Sequence, residues 1–183
     1  MNVNNKVVKE LLDWLLHLGS AALLAVLVVV FVGRLTVVDG NSMLPTLKNQ
    51  DVLIIESLSQ RFGSVEAGDI VVLKIPELLS DHKKYAIKRV IAVENQHVVI
   101  KNGKVYVDEK MLAEPYINGE STLISNDLYD DVVVPKGCVY VLGDNRLPDK
   151  SMDSRAFGTV STKKIIGTVL IRIFPFSDAG RLP

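Results

Sequence analysis

Two residues far apart in the chain, Ser42 and Lys88, have the side chains and local settings that nucleophilic catalysis requires. Gly40 and Asn41 permit a tight backbone just before the serine, and Pro45 restricts the chain shortly after it. A nucleophilic serine needs a proton acceptor and nearby backbone donors for an oxyanion. The same local pattern also fits a turn serine that bonds only its own backbone. The choice therefore depends on whether the chain supplies a base.

The histidines offer no well-placed base for this serine. His17 lies in an apolar N-terminal segment, and His97 begins a predicted strand. His82 lies in a charged loop beside Lys83 and Lys84. Because a Ser-His-Asp arrangement needs a precisely oriented imidazole, these settings give it little support.

Lys88 is the better candidate, because it interrupts the apolar run 86–93. Lysine is rarely fully buried unless it is paired or functional. Strand alternation sends Lys88 and Arg89 to opposite faces, so one of them faces the packed side or its rim. The alternative is an edge strand with both charged heads reaching water. To act as a base near neutral pH, the amine needs a pKa about 3.4 units below the usual 10.4, which burial supplies.

A polar segment at 142–158 offers groups that could support such a pair. Asp144 and Asp153 are each followed two residues later by an arginine, Arg146 and Arg155. Two carboxylates allow an acid–base pair, but ion pairs with these arginines are the favoured interpretation. Ser151 is positioned in sequence to orient the lysine amine from this segment.

The elements that must position these residues are predicted to be strands. Short β-branched runs separated by Gly, Pro, Asn and Asp predict a mostly antiparallel β domain over residues 34–183. The predicted strands are 51–55, 69–75, 86–93, 97–100, 104–107, 138–142 and 165–174. Asn102 and Gly103 predict a type I′ hairpin turn. Longer loops are predicted at 76–84 and 114–131.

An uncharged segment at 14–33 predicts a transmembrane helix. Twenty helical residues span about 30 Å, the thickness of the hydrocarbon layer. A cleaved signal peptide has a shorter apolar core followed by a small-x-small site, and a buried core helix is seldom apolar all round. Lys6 and Lys9 precede the segment whereas only Arg34 closely follows it, which favours a cytoplasmic N-terminus at 1–13.

Composition excludes several classes of function. The formal net charge is zero, with 21 basic and 21 acidic residues, so a nucleic-acid partner is not expected. With one cysteine and three scattered histidines, neither a metal cluster nor an intramolecular disulfide is expected.

Four ordered motifs resemble the conserved boxes of type I signal peptidases, of the Gram-positive subtype. They are GNSMLPTL at 40–47, GDIVVL at 68–73, IKRVIAV at 87–93 and LGDNR…SMDSRAFG at 142–158. The resemblance implies a membrane-bound serine endopeptidase that removes N-terminal signal peptides from exported preproteins. It also implies a β catalytic domain outside the cytoplasm on one transmembrane helix, with no metal or cofactor.

The resemblance further implies roles for individual residues. Ser42 would be the nucleophile, Lys88 the general base, and Ser151 the residue that holds the lysine amine. The bracing residues would be Asp144, Arg146, Asp153 and Arg155. Val38, Leu47 and Ile87 would line shallow pockets for small residues at the first and third positions before the cut.

Three departures from the family pattern stand out. The family's Gly-x-Pro-Gly-Asp run after the lysine box is absent at 92–96, and four residues, 147–150, replace the usual two. Gly40 has no side-chain hydroxyl for an oxyanion hole, so a second donor beside the Ser42 N–H is unidentified.

Three alternative functions remain open from the sequence. They are an inactive relative acting in assembly, a self-cleaving repressor-type Ser/Lys protein, and a membrane-tethered β binding module.

Overall fold

The computed structural model divides into two compact units, Met1–Arg34 and Leu35–Pro183. It describes residues 3–31, 33–56, 65–79, 83–124 and 128–183, except for the side chains of 3–6 and 25–31.

The first unit contains one long helix, α1, at Val3–Phe31. None of the helices within the described residues is both long and apolar enough to cross a membrane. Part of the predicted transmembrane segment 14–33 lies outside the described residues. Residue 32 is not described at all, and residues 25–31 are described without their side chains.

The second unit is built from two β-sheets. The larger sheet has the strand order β1-β2-β11-β3-β4-β9-β10, and the smaller has the order β7-β6-β5-β8. The strands are β1 Gly33–Val37, β2 Val52–Glu56, β3 Ile70–Lys74, β4 Tyr85–Ala92, β5 His97–Lys101, β6 Lys104–Val107, β7 Lys110–Met111, β8 Asp131–Val133, β9 Cys138–Leu142, β10 Val160–Ser161 and β11 Ile165–Phe174. One short helix, α2, runs over Ser154–Phe157, and 3₁₀ turns lie at Pro76–Leu78, Thr162–Lys164 and Phe176–Asp178.

The mainly β, antiparallel fold predicted from the sequence is confirmed. The strand pairings within the described residues for which a register is defined are antiparallel, and each predicted strand has an observed counterpart. Asn102 and Gly103 both have positive φ, as a type I′ turn requires. Strands β1, β7, β8 and β10 were not predicted, because they are short and carry little buried apolar sequence.

Strand β4 is an interior strand, and it positions two charged residues inside the domain. It pairs with β3 on one side and β9 on the other. Lys88 is 3% exposed and Arg89 is 2% exposed, so the edge-strand alternative, with both heads in water, is wrong. Ala86 and Val90, on either side of Lys88, both pack into one apolar cluster, so the amine emerges from an apolar surface.

Candidate active site

Ser42 and Lys88 meet in the folded domain, although 46 positions separate them in sequence. Lys88 Nζ lies 2.7 Å from Ser42 Oγ, within hydrogen-bond distance. The lysine comes from the interior strand β4, and the half-buried serine comes from the turn that follows β1. A nucleophile and a base within this distance form the minimal unit of covalent catalysis.

Burial lowers the pKa of the Lys88 amine from 10.5 to about 8. Asp153 and Asp144 raise the pKa of the amine, whereas Arg155 and Lys83 lower it, and the desolvation effect prevails. With a pKa near 8, about a tenth of the amines are neutral at pH 7, compared with about 1 in 2,500 for an ordinary lysine. The environment therefore provides a usable population of base.

The backbone of 143–145 holds the turn that carries Ser42. Asn145 N–H donates to the Ser42 carbonyl at 3.0 Å, and the Asn145 amide donates to the Asn41 carbonyl at 2.9 Å. A Cβ on Gly143 would overlap both the Ser42 carbonyl and the Ser151 hydroxyl. Residue 143 must therefore be glycine for the two segments to approach this closely.

Ser151 lies beside this close approach without bonding the lysine. Its Oγ is buried and has no hydrogen-bond partner among the described residues. It lies near enough to Asp153 to help lower the pKa of that carboxyl, but its geometry falls short of a formed hydrogen bond. The structure thus brings Ser151 to the site, whereas the predicted contact with the Lys88 amine is not formed.

Asp153 and Arg155 form the buried ion pair expected from their spacing. Arg155 Nη2 lies 2.8 Å from Asp153 Oδ2, and its Nε lies 2.8 Å from Oδ1. Asp153 also caps α2 and accepts the Gly143 N–H. Burial raises the pKa of Asp153, but the hydrogen bonds and charge of Arg155 outweigh it, so the pKa falls below 3.8.

Asp144 does not pair with Arg146, contrary to the sequence prediction. It is held by Arg89, whose Nη2 and Nε lie 2.7 and 2.9 Å from the two carboxylate oxygens. Arg89 reaches Asp144 because it pairs in register with Leu142, two residues earlier. Arg146 instead forms an ion pair with Glu114 at 2.5 Å.

Four further residues belong to this network, and the sequence analysis assigned none of them a role in the site. They are Thr46, Arg89, Glu114 and Tyr116. Thr46 Oγ1 donates to Asp144 at 2.5 Å, and the Tyr116 ring lies 3.9 Å from the Arg89 guanidinium carbon. Glu114 and Tyr116 belong to the long loop at 114–131, whose sequence has no periodic pattern. Only Arg89 carried a signal, as a charge within an apolar run.

Val38, Leu47 and Ile87 pack in one apolar cluster next to the site. Val38 and Leu47 are buried and Ile87 is half-buried, and Met43, which follows the serine, belongs to the same cluster. The structure therefore brings the three predicted pocket residues together around the turn that carries Ser42.

The described histidines bond to partners other than Ser42. His97 bonds Asp131 at 2.6 Å in the smaller sheet, and His17 bonds the Asp13 carbonyl within α1. His82 lies outside the described residues. Within the part of the chain that the structure describes, no group of three or more His, Cys, Asp and Glu residues could hold a metal ion.

Comparisons with known proteins give a consistent result. The family model described as "Signal peptidase, peptidase S26" matches residues 11–174. A probable signal peptidase I-1 from Synechocystis is 40% identical over 168 residues, covering 88% of this chain and 82% of the relative. Signal peptidase I of Bacillus caldolyticus is 37% identical over 152 residues, covering 78% and 80%. Signal peptidase IB of Staphylococcus aureus is 34% identical over 184 residues, covering 93% of each chain.

A solved structure also resembles part of the chain. A crystal structure of a signal peptidase I from Enterococcus faecalis aligns with a TM-score of 0.45 at 26% identity. The alignment covers 57% of this chain and 96% of that chain.

Proposed function

The chain belongs to the signal peptidase family, peptidase S26, and we propose that it is a serine endopeptidase that removes signal peptides from exported preproteins. The observation that carries this proposal is the 2.7 Å contact between Ser42 Oγ and the buried Lys88 Nζ. The inactive-relative alternative loses support, because both groups are present and within reaction distance. A tethered binding module would have no need of a buried amine with a lowered pKa.

The proposed mechanism uses the pair as nucleophile and base. Neutral Lys88 takes the Ser42 proton as Oγ attacks the scissile carbonyl, and the resulting ammonium protonates the leaving amine when the C–N bond breaks. Water then attacks the acyl-enzyme, with Lys88 again accepting the proton. Ser42 recovers its own proton from Lys88 when the acyl group leaves.

The apolar cluster of Val38, Leu47 and Ile87 supports a preference for small substrate side chains. Val38 and Leu47 are already buried, and only Ile87 retains partial exposure, so little depth remains for a bulky residue. Alanine-sized residues at the first and third positions before the cut suit such shallow pockets. The predicted substrates are preproteins with that pattern.

The remaining site residues serve to brace the pair. Asp144, Asp153 and Arg155 are buried in ion pairs next to the Ser42 turn, and Arg146 is tied to the same segment through the Gly143 carbonyl. Ser151 lies against Gly143, on the segment that holds the Ser42 turn, and its proposed role is to orient the lysine amine.

A membrane location for this activity is part of the proposal. The uncharged segment 14–33 would anchor the chain in the lipid bilayer, with 1–13 in the cytoplasm and 34–183 as the extracytoplasmic catalytic domain. The continuous helix α1, Val3–Phe31, supports a helical anchor.

The test is cleavage of a preprotein by the full chain in lipid vesicles. A substrate with an Ala-x-Ala site should be cut directly after the second alanine, and a matched substrate with leucine at both alanine positions should stay intact. Mass spectrometry of the products locates the cut. Cleavage of both substrates contradicts the pocket assignment, and cleavage of neither contradicts the function.

The rate of cleavage is expected to rise with pH through an apparent pKa of about 8, because Lys88 must be neutral to act. Below that value the rate should fall about tenfold per pH unit, and above it the rate should level off. Asp153, with a pKa below 3.8, stays ionised throughout this range. The measurement is kcat/KM from pH 6 to pH 10, roughly two units either side of the expected midpoint. A profile governed only by a group near pKa 4 would contradict a lysine base.

A further inference from the structure

The amine of Lys83 lies against the backbone that leads into Ser42. Its Nζ is 3.4 Å from the Asp39 carbonyl and 3.5 Å from the Asp39 carboxylate. The backbone one residue later is fixed, because the Lys84 carbonyl accepts the Ile75 N–H at the end of β3. Lys83 therefore reaches the serine turn from an anchored segment, with its side chain 37% exposed.

The Lys83 amine borders the open space beside Gly40. A Cβ on Gly40 would meet one neighbouring atom within 4 Å, Lys83 Nζ at 3.5 Å. Gly40 also has φ of +120°, a conformation that residues with side chains rarely adopt. A cation from another segment thus lies beside the backbone two residues before the nucleophile.

We infer that the Lys83 ammonium is the second oxyanion donor, acting beside the Ser42 N–H. This inference rests on the proposed function. As the bond from Ser42 Oγ to the substrate carbon forms, the carbonyl electron pair moves to oxygen and the Oγ proton passes to Lys88. The new negative charge then faces the ammonium, and it disappears when the C–N bond breaks. A preorganised positive donor at that point lowers the barrier to both steps.

The same amine also affects the base. Lys83 lowers the pKa of Lys88 by charge repulsion, and Asp153, Arg155 and Asp144 are the other charged groups that act on it. A loss of rate caused only by a change in the charge of Lys88 would disappear above pH 9, where Lys88 is neutral. A loss of oxyanion stabilisation persists there. Rates measured on the high-pH plateau therefore separate the two effects.

The experiment compares Lys83→Gln, Lys83→Arg and Lys84→Gln in the full chain in lipid vesicles, with the Ala-x-Ala preprotein. Lys84 is the matched control, since it is the adjacent lysine and is exposed. On the plateau, Lys83→Gln should lower kcat about a hundredfold to a thousandfold with little change in KM, as loss of an oxyanion donor does. Lys83→Arg should retain part of the lost rate, and Lys84→Gln should match the wild type.

Two results would overturn the inference while leaving the function intact. One is a Lys83→Gln rate within about twofold of an active wild type on the plateau. The other is an equal loss of rate in Lys84→Gln, which would indicate a general effect of surface charge. A wild-type chain that leaves the preprotein intact contradicts the function itself, and this inference with it.

Discussion

Replacing Lys88 with methionine is expected to abolish cleavage while the chain stays folded. Methionine fills a similar volume but has no amine to accept the Ser42 proton at 2.7 Å. Loss of a nucleophile or its base typically lowers the rate by about 10⁴-fold or more. Ser42→Ala should lose as much, and the double variant should be no slower than either single one, because the two residues act as a unit. The measurement is kcat/KM on the Ala-x-Ala preprotein.

The stability of Lys88→Met provides the control for this result. In the native protein below pH 8 the Lys88 ammonium is less stable than it would be in water, because it is buried. The lowering of its pKa from 10.5 to about 8 expresses this cost. Removing it should raise the free energy of unfolding at neutral pH, by up to about 3 kcal/mol for that shift. The destabilisation fades between pH 8 and 10.5, as the unfolded chain loses its proton too. An inactive but less stable Lys88→Met variant would contradict this account of the site.

Replacing Arg89 with methionine is expected to cost about 3–5 kcal/mol of unfolding free energy, the usual result of breaking a buried ion pair. The Asp144 side chain is fully buried, and Thr46 would be its remaining side-chain donor among the described residues. The variant therefore leaves the buried Asp144 carboxylate without its ion-pair partner. Urea unfolding of the wild type and variant, followed by circular dichroism, measures the difference.

Two further variants test whether the unpaired Asp144 carboxylate causes this loss of stability. Arg89→Met combined with Asp144→Leu should recover much of the loss, because no unpaired charge remains. Lys48→Met removes the exposed pair with Asp178, whose side chains are 60% and 32% exposed, and should change stability little. If the double variant is as unstable as Arg89→Met, packing rather than charge explains the cost.

The sequence predicted the strands that carry long apolar runs, because burial imposes a pattern on them. It predicted Lys88 for the same reason, since a charge inside such a run is conspicuous. The 2.7 Å contact with Ser42 depends on long-range packing that no local pattern encodes.

The pairing of the acidic residues shows where sequence reasoning reaches its limit. Asp153 pairs with its near neighbour Arg155, which spacing predicts. Asp144 pairs with Arg89, 55 positions away, because the register of β4 on β9 brings them together. Glu114 and Lys83 lie in loops without periodic sequence, so only the folded chain reveals what they contact.

Lys88 and Arg89 are neighbours on β4, so enzymatic activity depends on the register in which this strand pairs with β3. A shift of this strand by one position against β3 would exchange the two cations across the sheet. A guanidinium facing Ser42 cannot lose its proton, so such a molecule would be compact yet inert. Under the proposed mechanism, the fraction of molecules in a preparation that can be acylated at Ser42 therefore counts those whose strands joined in the correct alignment.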